Sequence, residues 1–316
     1  MPANLLLRSL GDGFGESAEA WWSAHAALAA ELPRPADLAL VGGLKSERLA
    51  WAFASGYQAA IRAAVPRLPP GEPASMCITE ARGGHPRAIE ATLGRADDGR
   101  LVASGQKTYV TLGPLARRLV VVLREGDQPN GRPALRAAVI PADRPGVRVT
   151  EGAPSPFAPE LPHGALTLDE VEVFPDELLP GDAYEGLVRP FRTVEDLHVL
   201  AATLGFLVRE ARLSAQSGRL QQLLILAVAT RDLCAADPSD PAVHVTLGGL
   251  ISAVEDATEQ ANLTRAARDP EAAERFDRDR PLLSLAGRAR AARLDQAWTA
   301  VGVHQHSPNQ EDPSEA

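Results

Sequence analysis

Three short stretches hold the side chains best suited to chemistry. In MCITEARGGHPR, residues 76–87, Thr79 precedes a Gly-Gly pair and His85; in GQKTYVTLG, residues 105–113, Tyr109 and Thr111 stand two apart. VEDLHVLAATLGF, residues 194–206, sets Glu195 at the head of an apolar helical run. Hydroxyls and an aromatic ring suit a planar ligand, through hydrogen bonds and stacking, and a carboxylate beside apolar surface suits proton abstraction. Each residue also has a plain structural reading: strand threonines, a core tyrosine, an exposed loop histidine, and an acid in the first turn of a helix capped by Thr193. A second acid, Glu185, occurs in Tyr184-Glu185-Gly186.

Other chemistries lack their signatures. No Gly-rich phosphate loop, G-x-S-x-G elbow, H-E-x-x-H helix or internal repeat is present. Cys77 and Cys234 are too few for a disulfide framework or a metal cluster, so reduced thiols and a cytoplasmic setting are expected, and no metal is expected. His304 and His306 fall in a polar, aperiodic tail and read as disorder. With 41 acidic against 32 basic residues and a formal charge of −9, the chain has no broad positive field for nucleic acid or anionic membrane. No run approaches the roughly 20 apolar residues that span a bilayer, and the N-terminus has no leader pattern.

These stretches need elements to position them. WWSAHAALAAEL and LAWAFASGYQAAIRAAV repeat apolar residues at helical spacing, so residues 1–74 form an N-terminal helical region. PRLPPGEP, residues 66–73, closes it, because four prolines and a glycine let neither helix nor inner strand continue. Short runs rich in strand formers, such as RLVASGQKTYVT, RRLVVVLRE and GALTLDEVEV, alternate with turn sequences, which places a β-barrel or sandwich at 75–187. Helical spacing returns from Thr193, and 188–303 forms a C-terminal bundle of three or four long helices, leaving 304–316 as a disordered tail. The fold class is α+β.

MCITEARGG followed by DGRLVASGQKTYVTLG resembles the middle domain of acyl-CoA dehydrogenases, and RRLVVVLRE, AAVIPADRPGVRV and LTLDEVEVFPDELLPG continue the likeness in family order. The resemblance spans residues 66–210 and implies a flavoprotein that desaturates an acyl-CoA or related thioester, with FAD accepting hydride. It implies that Thr79 and Thr111 bond the flavin ring, that Ile78 lies beside the first, and that Tyr109 covers the ring. Gly84 and His85 take the place of a family Ser-Asp pair near the pyrophosphate and thioester.

The family's Arg-x-x-Phe-Gly and Gln-x-x-Gly-Gly motifs, which complete the cofactor site from a neighbouring subunit, are missing, and Arg219 is the one candidate for the lost cation. FAD binding is therefore expected to be weak or completed by a partner subunit. Without the family's C-terminal Tyr-Glu-Gly-Thr segment, Glu195 holds the position that a smaller branch, which includes isovaleryl-CoA dehydrogenase, uses for its base. Asp196, beside it, would raise its pKa and repel an acyl-CoA phosphate. Glu185 reads as a linker coincidence. Two functions stand open: an FAD-dependent acyl-CoA dehydrogenase, and a non-catalytic subunit partnering a full-length homologue. A homo-oligomer or hetero-oligomer is expected, built in part by the helix carrying Leu223, Leu224, Ile225 and Val228.

Overall fold

The computed structural model describes residues 2–11 and 13–303, so the expectation of a disordered tail lies outside the described residues. The Ala-rich N-terminal sequence forms α1 (Pro2–Leu6), α2 (Ala18–Glu31), α3 (Pro35–Lys45) and α4 (Leu49–Ala64). Ser17 starts α2 by accepting a hydrogen bond from the Ala20 amide at 3.1 Å. Pro35 opens α3, where its missing N–H would have had no partner anyway.

Beyond the proline-rich break, apolar residues recur every second position and the chain turns to strands: β1 (Ala74–Cys77), β2 (Thr92–Arg95), β3 (Leu101–Thr111), β4 (Arg118–Asp127), β5 (Pro133–Pro141), β6 (Val147–Glu151) and β7 (His163–Val173). They form one curled mixed sheet in the order β1-β4-β2-β3-β7-β6, with β5 paired to β4. β1 runs parallel to β4, whereas β3 and β7 pair antiparallel. In β4, Leu119, Val121 and Leu123 enter a core of their own with Ile140 and Leu166, while Val120 and Val122 face the helical core. All five are fully buried, so this strand reads as a continuous apolar run rather than an alternating one.

A π-helical turn, Tyr184–Val188, leads directly into α5 (Arg189–Leu213), followed by α6 (Ser217–Leu233), α7 (Pro241–Arg268), α8 (Pro270–Asp279), a 3-10 turn at Arg280–Ser284 and α9 (Gly287–Ala300). Thr193 is therefore not a cap: it is buried inside α5, because the Tyr184–Val188 turn starts the helix earlier than the apolar spacing indicated. Glu195 consequently sits beyond the first turn, where the helix dipole contributes little.

Two glycines let α5 approach the N-terminal helices at backbone distance. A Cβ on Gly43 of α3 would lie 1.8 Å from the Ala202 carbonyl oxygen, and one on Gly205 of α5 would lie 2.0 Å from the Leu40 carbonyl oxygen. Only glycine fits either position, and the contact fixes α5 against α3. At the far end of α5, the buried Arg265 guanidinium of α7 lies 4.8 and 4.5 Å from the Phe206 and Phe276 rings, and its Nε donates to Glu210 at 3.1 Å. That contact joins α5, α7 and α8.

α6 is not buried on all sides. Leu223 and Ala227 face inward, but Ile225 is 69% exposed and Val228 is also exposed. The sequence marks α6 as apolar on more than one side, and the fold turns part of that surface outward.

Candidate functional site

Past Cys77 the chain continues beside β3. The Thr108 amide donates to the Thr79 carbonyl at 2.7 Å, and Ser75 Oγ donates to the Thr111 carbonyl at 2.8 Å. Ile78, Thr79, Tyr109 and Thr111 are thereby brought onto adjoining segments. What holds those segments is Lys107, fully buried, whose Nζ lies 2.6 Å from Glu80 Oε1 and 3.4 Å from the Ile78 carbonyl. The same carboxylate accepts the amides of Glu90 at 2.8 Å and Ala91 at 3.1 Å. Burial pushes the Lys107 pKa down, and Glu80 opposes that shift.

An irregularity in the β3–β7 pairing between Lys107 and Val110 throws Tyr109 outward. Tyr109 has φ 52° and is 80% exposed, so it is not a core tyrosine. A non-glycine residue held at positive φ costs on the order of 1–3 kcal/mol, a strain that tends to occur where function needs the side chain placed. Thr79 and Thr111 are half-buried, and neither hydroxyl has a hydrogen-bond partner among the described residues. Gly84 passes over Thr79, where a Cβ would sit 3.4 Å from Thr79 Oγ1 and 3.8 Å from Ile78 Cγ2. His85 is exposed, and its Nδ1 accepts the Arg87 amide at 3.2 Å, capping the turn Pro86–Ala88. Two unbonded hydroxyls, a bare glycine backbone and a projecting ring fit the edge and face of a flavin.

A cavity of about 820 Å³ opens between α5, α7 and the loop Arg280–Ala286, with Phe53 of α4 in its wall. Glu195 stands in its wall with its pKa pushed up to about 7, first by burial and then by Asp196, with Arg192 opposing. Asp196 is itself held by Arg290 at 3.0 Å and Arg293 at 2.6 Å. These two guanidiniums offset the repulsion that Asp196 would otherwise exert on an anionic ligand. Tyr57 links the cavity to the strand: its buried hydroxyl accepts the Met76 amide at 2.9 Å, and its pKa is raised by burial first and also by the charge of Glu195.

The loop Arg280–Ala286 contributes Ser284 but no carboxylate. It is anchored to the β-region through Arg278, which bonds Glu160 at 2.9 Å, and through buried Asp279, which accepts the Ala158 amide at 2.7 Å. Lys107, Glu80, Tyr57 and this anchor were not singled out from the sequence; the rarity of lysine, Lys107 being one of two in the chain, was the one available signal, and it does not name a partner. Glu185 pairs with Arg189 at 3.1 Å and lines a separate pocket with Thr193 and His244. Arg219 bonds Gln260 and lines another groove, between α6 and α7. Among the described residues no group of three His, Cys, Asp or Glu side chains is placed to hold a metal ion, and no helix is long and apolar enough to cross a membrane.

This arrangement, a small mixed sheet between two helical regions, is similar to that of known acyl-CoA dehydrogenases. Residues 75–171 match the acyl-CoA dehydrogenase middle domain. A probable acyl-CoA dehydrogenase of Bacillus subtilis (strain 168), YngJ, is 26% identical over 145 residues, which cover 45% of this chain and 37% of that protein. The matched stretch thus spans little more than a third of the relative. The crystal structure of an FAD-dependent dehydrogenase superposes with a TM-score of 0.71 at 16% identity, covering 96% of this chain and 98% of the other. The prolyl acyl carrier protein oxidase AnaB superposes with a TM-score of 0.68 at 14% identity, covering 96% and 97%. Residues 75–171 are thus similar to the acyl-CoA dehydrogenase middle domain, and the expected α+β architecture is borne out along the chain.

Proposed function

We propose that the chain is a flavin-dependent dehydrogenase of acyl thioesters, with Glu195 as the base that removes the α-proton. The carrying observation is a carboxylate with its pKa raised to about 7, set in a cavity wall and within electrostatic reach of Tyr57, which bonds the strand that leads to Thr79. A base tuned near the working pH combines a sufficient ionised fraction with real proton affinity. Thr79 and Thr111 would hold the FAD ring edge, Ile78 would lie beside it, Tyr109 would cover it, and Gly84 and His85 would flank the phosphate side. When bound, FAD supplies the acceptor for the hydride that leaves the β-carbon. The protein's own part is to orient the thioester, exclude water with the apolar cavity wall, and take the α-proton onto the Glu195 carboxylate. Relatives act on thioesters of both coenzyme A and carrier proteins, so the reading commits to the thioester and leaves its carrier to experiment.

A second reading, a subunit that works with a full-length homologue, is supported by the outward apolar residues Ile225, Val228 and Leu263 on α6 and α7. The test is anaerobic reduction of the flavin-loaded protein by acyl-CoA and acyl-pantetheine thioesters, alone and with such a homologue. Glu195→Gln should slow reduction by roughly 10²-fold or more, the usual worth of a positioned base. Equal rates in wild type and variant would remove Glu195 from the mechanism, and reduction only in the presence of the homologue would favour the second reading.

A further inference from the structure

A second cavity, of about 560 Å³, adjoins the one that holds Glu195. One ion pair forms the shared wall: Asp196 faces the Glu195 cavity and Arg293 faces the second, 2.6 Å apart. Two buried donors that line the second cavity lack an acceptor. Thr193 is 1% exposed, and its hydroxyl has no hydrogen-bond partner among the described residues. Arg293 gives Nη2 to Asp196, but its Nε is buried and unpaired. Burying polar hydrogens without partners is costly, so an unpaired hydroxyl and an unpaired guanidinium nitrogen at one cavity point to an occupant with acceptor atoms.

Charge points the same way. Asp196 is a single carboxylate shared by the Arg290 and Arg293 guanidiniums, which leaves positive charge in excess beside the cavity. The acids of the cavity wall are already served. Glu185 pairs with Arg189 at 3.1 Å, and Asp237, at the exposed rim, accepts the Ser239 amide at 2.9 Å and the Ser239 hydroxyl at 2.7 Å. Gln296 of α9 adds an exposed amide with no partner among the described residues. A compact group with several anionic oxygens satisfies all of these, and a phosphate monoester, with three strong acceptor oxygens, does so more fully than a carboxylate. The cavity is also larger than a phosphate alone needs, and leaves room for the organic body that bears it.

We infer that this second cavity is a phosphate site, built by Arg293, Thr193 and Gln296. Neither flavin nor Glu195 takes part in such binding, so the site stands or falls separately from desaturation.

Calorimetric titration of the full chain with inorganic phosphate, phosphopantetheine and pantetheine tests it. Both phosphates should bind saturably, tighter than about 1 mM, and raised salt should weaken them. Tighter binding of phosphopantetheine than of inorganic phosphate would make the source a carrier-borne phosphate, and equal affinities a free one; either result sustains the site. No saturable binding of either phosphate, or pantetheine binding as tightly as its phosphate, overturns it.

Substitutions at two positions locate the anion. Thr193→Val removes the hydroxyl and keeps the shape, so phosphate affinity should fall about threefold to tenfold, the worth of one hydrogen bond, while the urea midpoint holds because no internal bond is lost. Gln296→Glu, at an exposed helix position, should weaken phosphate about tenfold through like charge, and Gln296→Lys should tighten it. Phosphate affinity unchanged by Thr193→Val and by both Gln296 substitutions would place the anion elsewhere and overturn the site.

Discussion

Replacing Glu195 by Gln should make the protein more stable, by an amount that grows as pH rises from about 4.5 to about 7 and then stays constant. The folded chain holds the Glu195 proton to about pH 7, whereas the ordinary value is 4.5. At low pH both folded and unfolded states keep the proton and the residue contributes no difference. Between about 4.5 and 7 the unfolded chain ionises while the folded chain does not, so stability falls as pH rises, and above about 7 the full penalty remains. A gap of about 2.5 pH units corresponds to roughly 3 kcal/mol, and partial exposure of the side chain trims that to about 2–3 kcal/mol. Gln has the same shape and no charge, so the penalty disappears. Urea unfolding of both proteins, without ligand, should show nearly equal stability at about pH 3.5 and an advantage of about 2–3 kcal/mol for the variant at about pH 8.5. A variant no more stable than wild type at pH 8.5 would mean that the carboxylate is well solvated, and the observation on which the proposed base rests would be gone.

Thr111→Val should lower FAD affinity by the worth of one hydrogen bond, roughly 0.5–1.5 kcal/mol, in a fluorescence titration; unchanged affinity would place the ring edge elsewhere. Tyr109→Gly relieves the positive φ and removes an exposed ring, so folding stability should hold or rise by about 1 kcal/mol while FAD binding weakens, and intact binding would mean the ring is not covered by Tyr109. Lys107→Met strands the buried Glu80 carboxylate and should cost about 3–5 kcal/mol in urea unfolding, partly restored by adding Glu80→Gln; a loss below about 1 kcal/mol would show that the pair does not clamp the two segments. Light scattering should give a dimer or larger species, and Ile225→Asp should shift it to smaller mass, whereas a wild-type monomer at micromolar concentration would refute an interface on α6.

The layout of the fold could be read from local pattern, because the change of hydrophobic period at residues 66–73 marks a real boundary, and residues such as Val120 and Val121 declare a buried strand wherever they fall. The start of α5 could not, since Tyr184-Glu185-Gly186 reads as linker and only the fold makes it a π-helical turn. Ile78, Thr79, Tyr109 and Thr111 were nameable from their motif, and the structure sets them on adjoining segments. What holds them was not legible: Lys107 meets Glu80 across 27 residues, and Asp196 meets Arg290 and Arg293 across 94 and 97. Such pairs leave no trace in spacing. Nor does sequence distinguish an apolar residue destined for a core, such as Leu223, from Ile225 two positions on, which faces solvent.

The two-sided burial of β4 bears on how the molecule comes apart. Val121 and Val122 are neighbours in the chain but belong to different cores, one enclosed by the sheet and one shared with the helices. Neither core can melt without exposing a strand that also lines the other, so the strand acts as a mechanical coupling between two bodies that would otherwise be separate cooperative units. Backbone amides along β4 should accordingly exchange only through global opening, and the α5 carboxylate should feel damage to the far side of the sheet through that same shared wall.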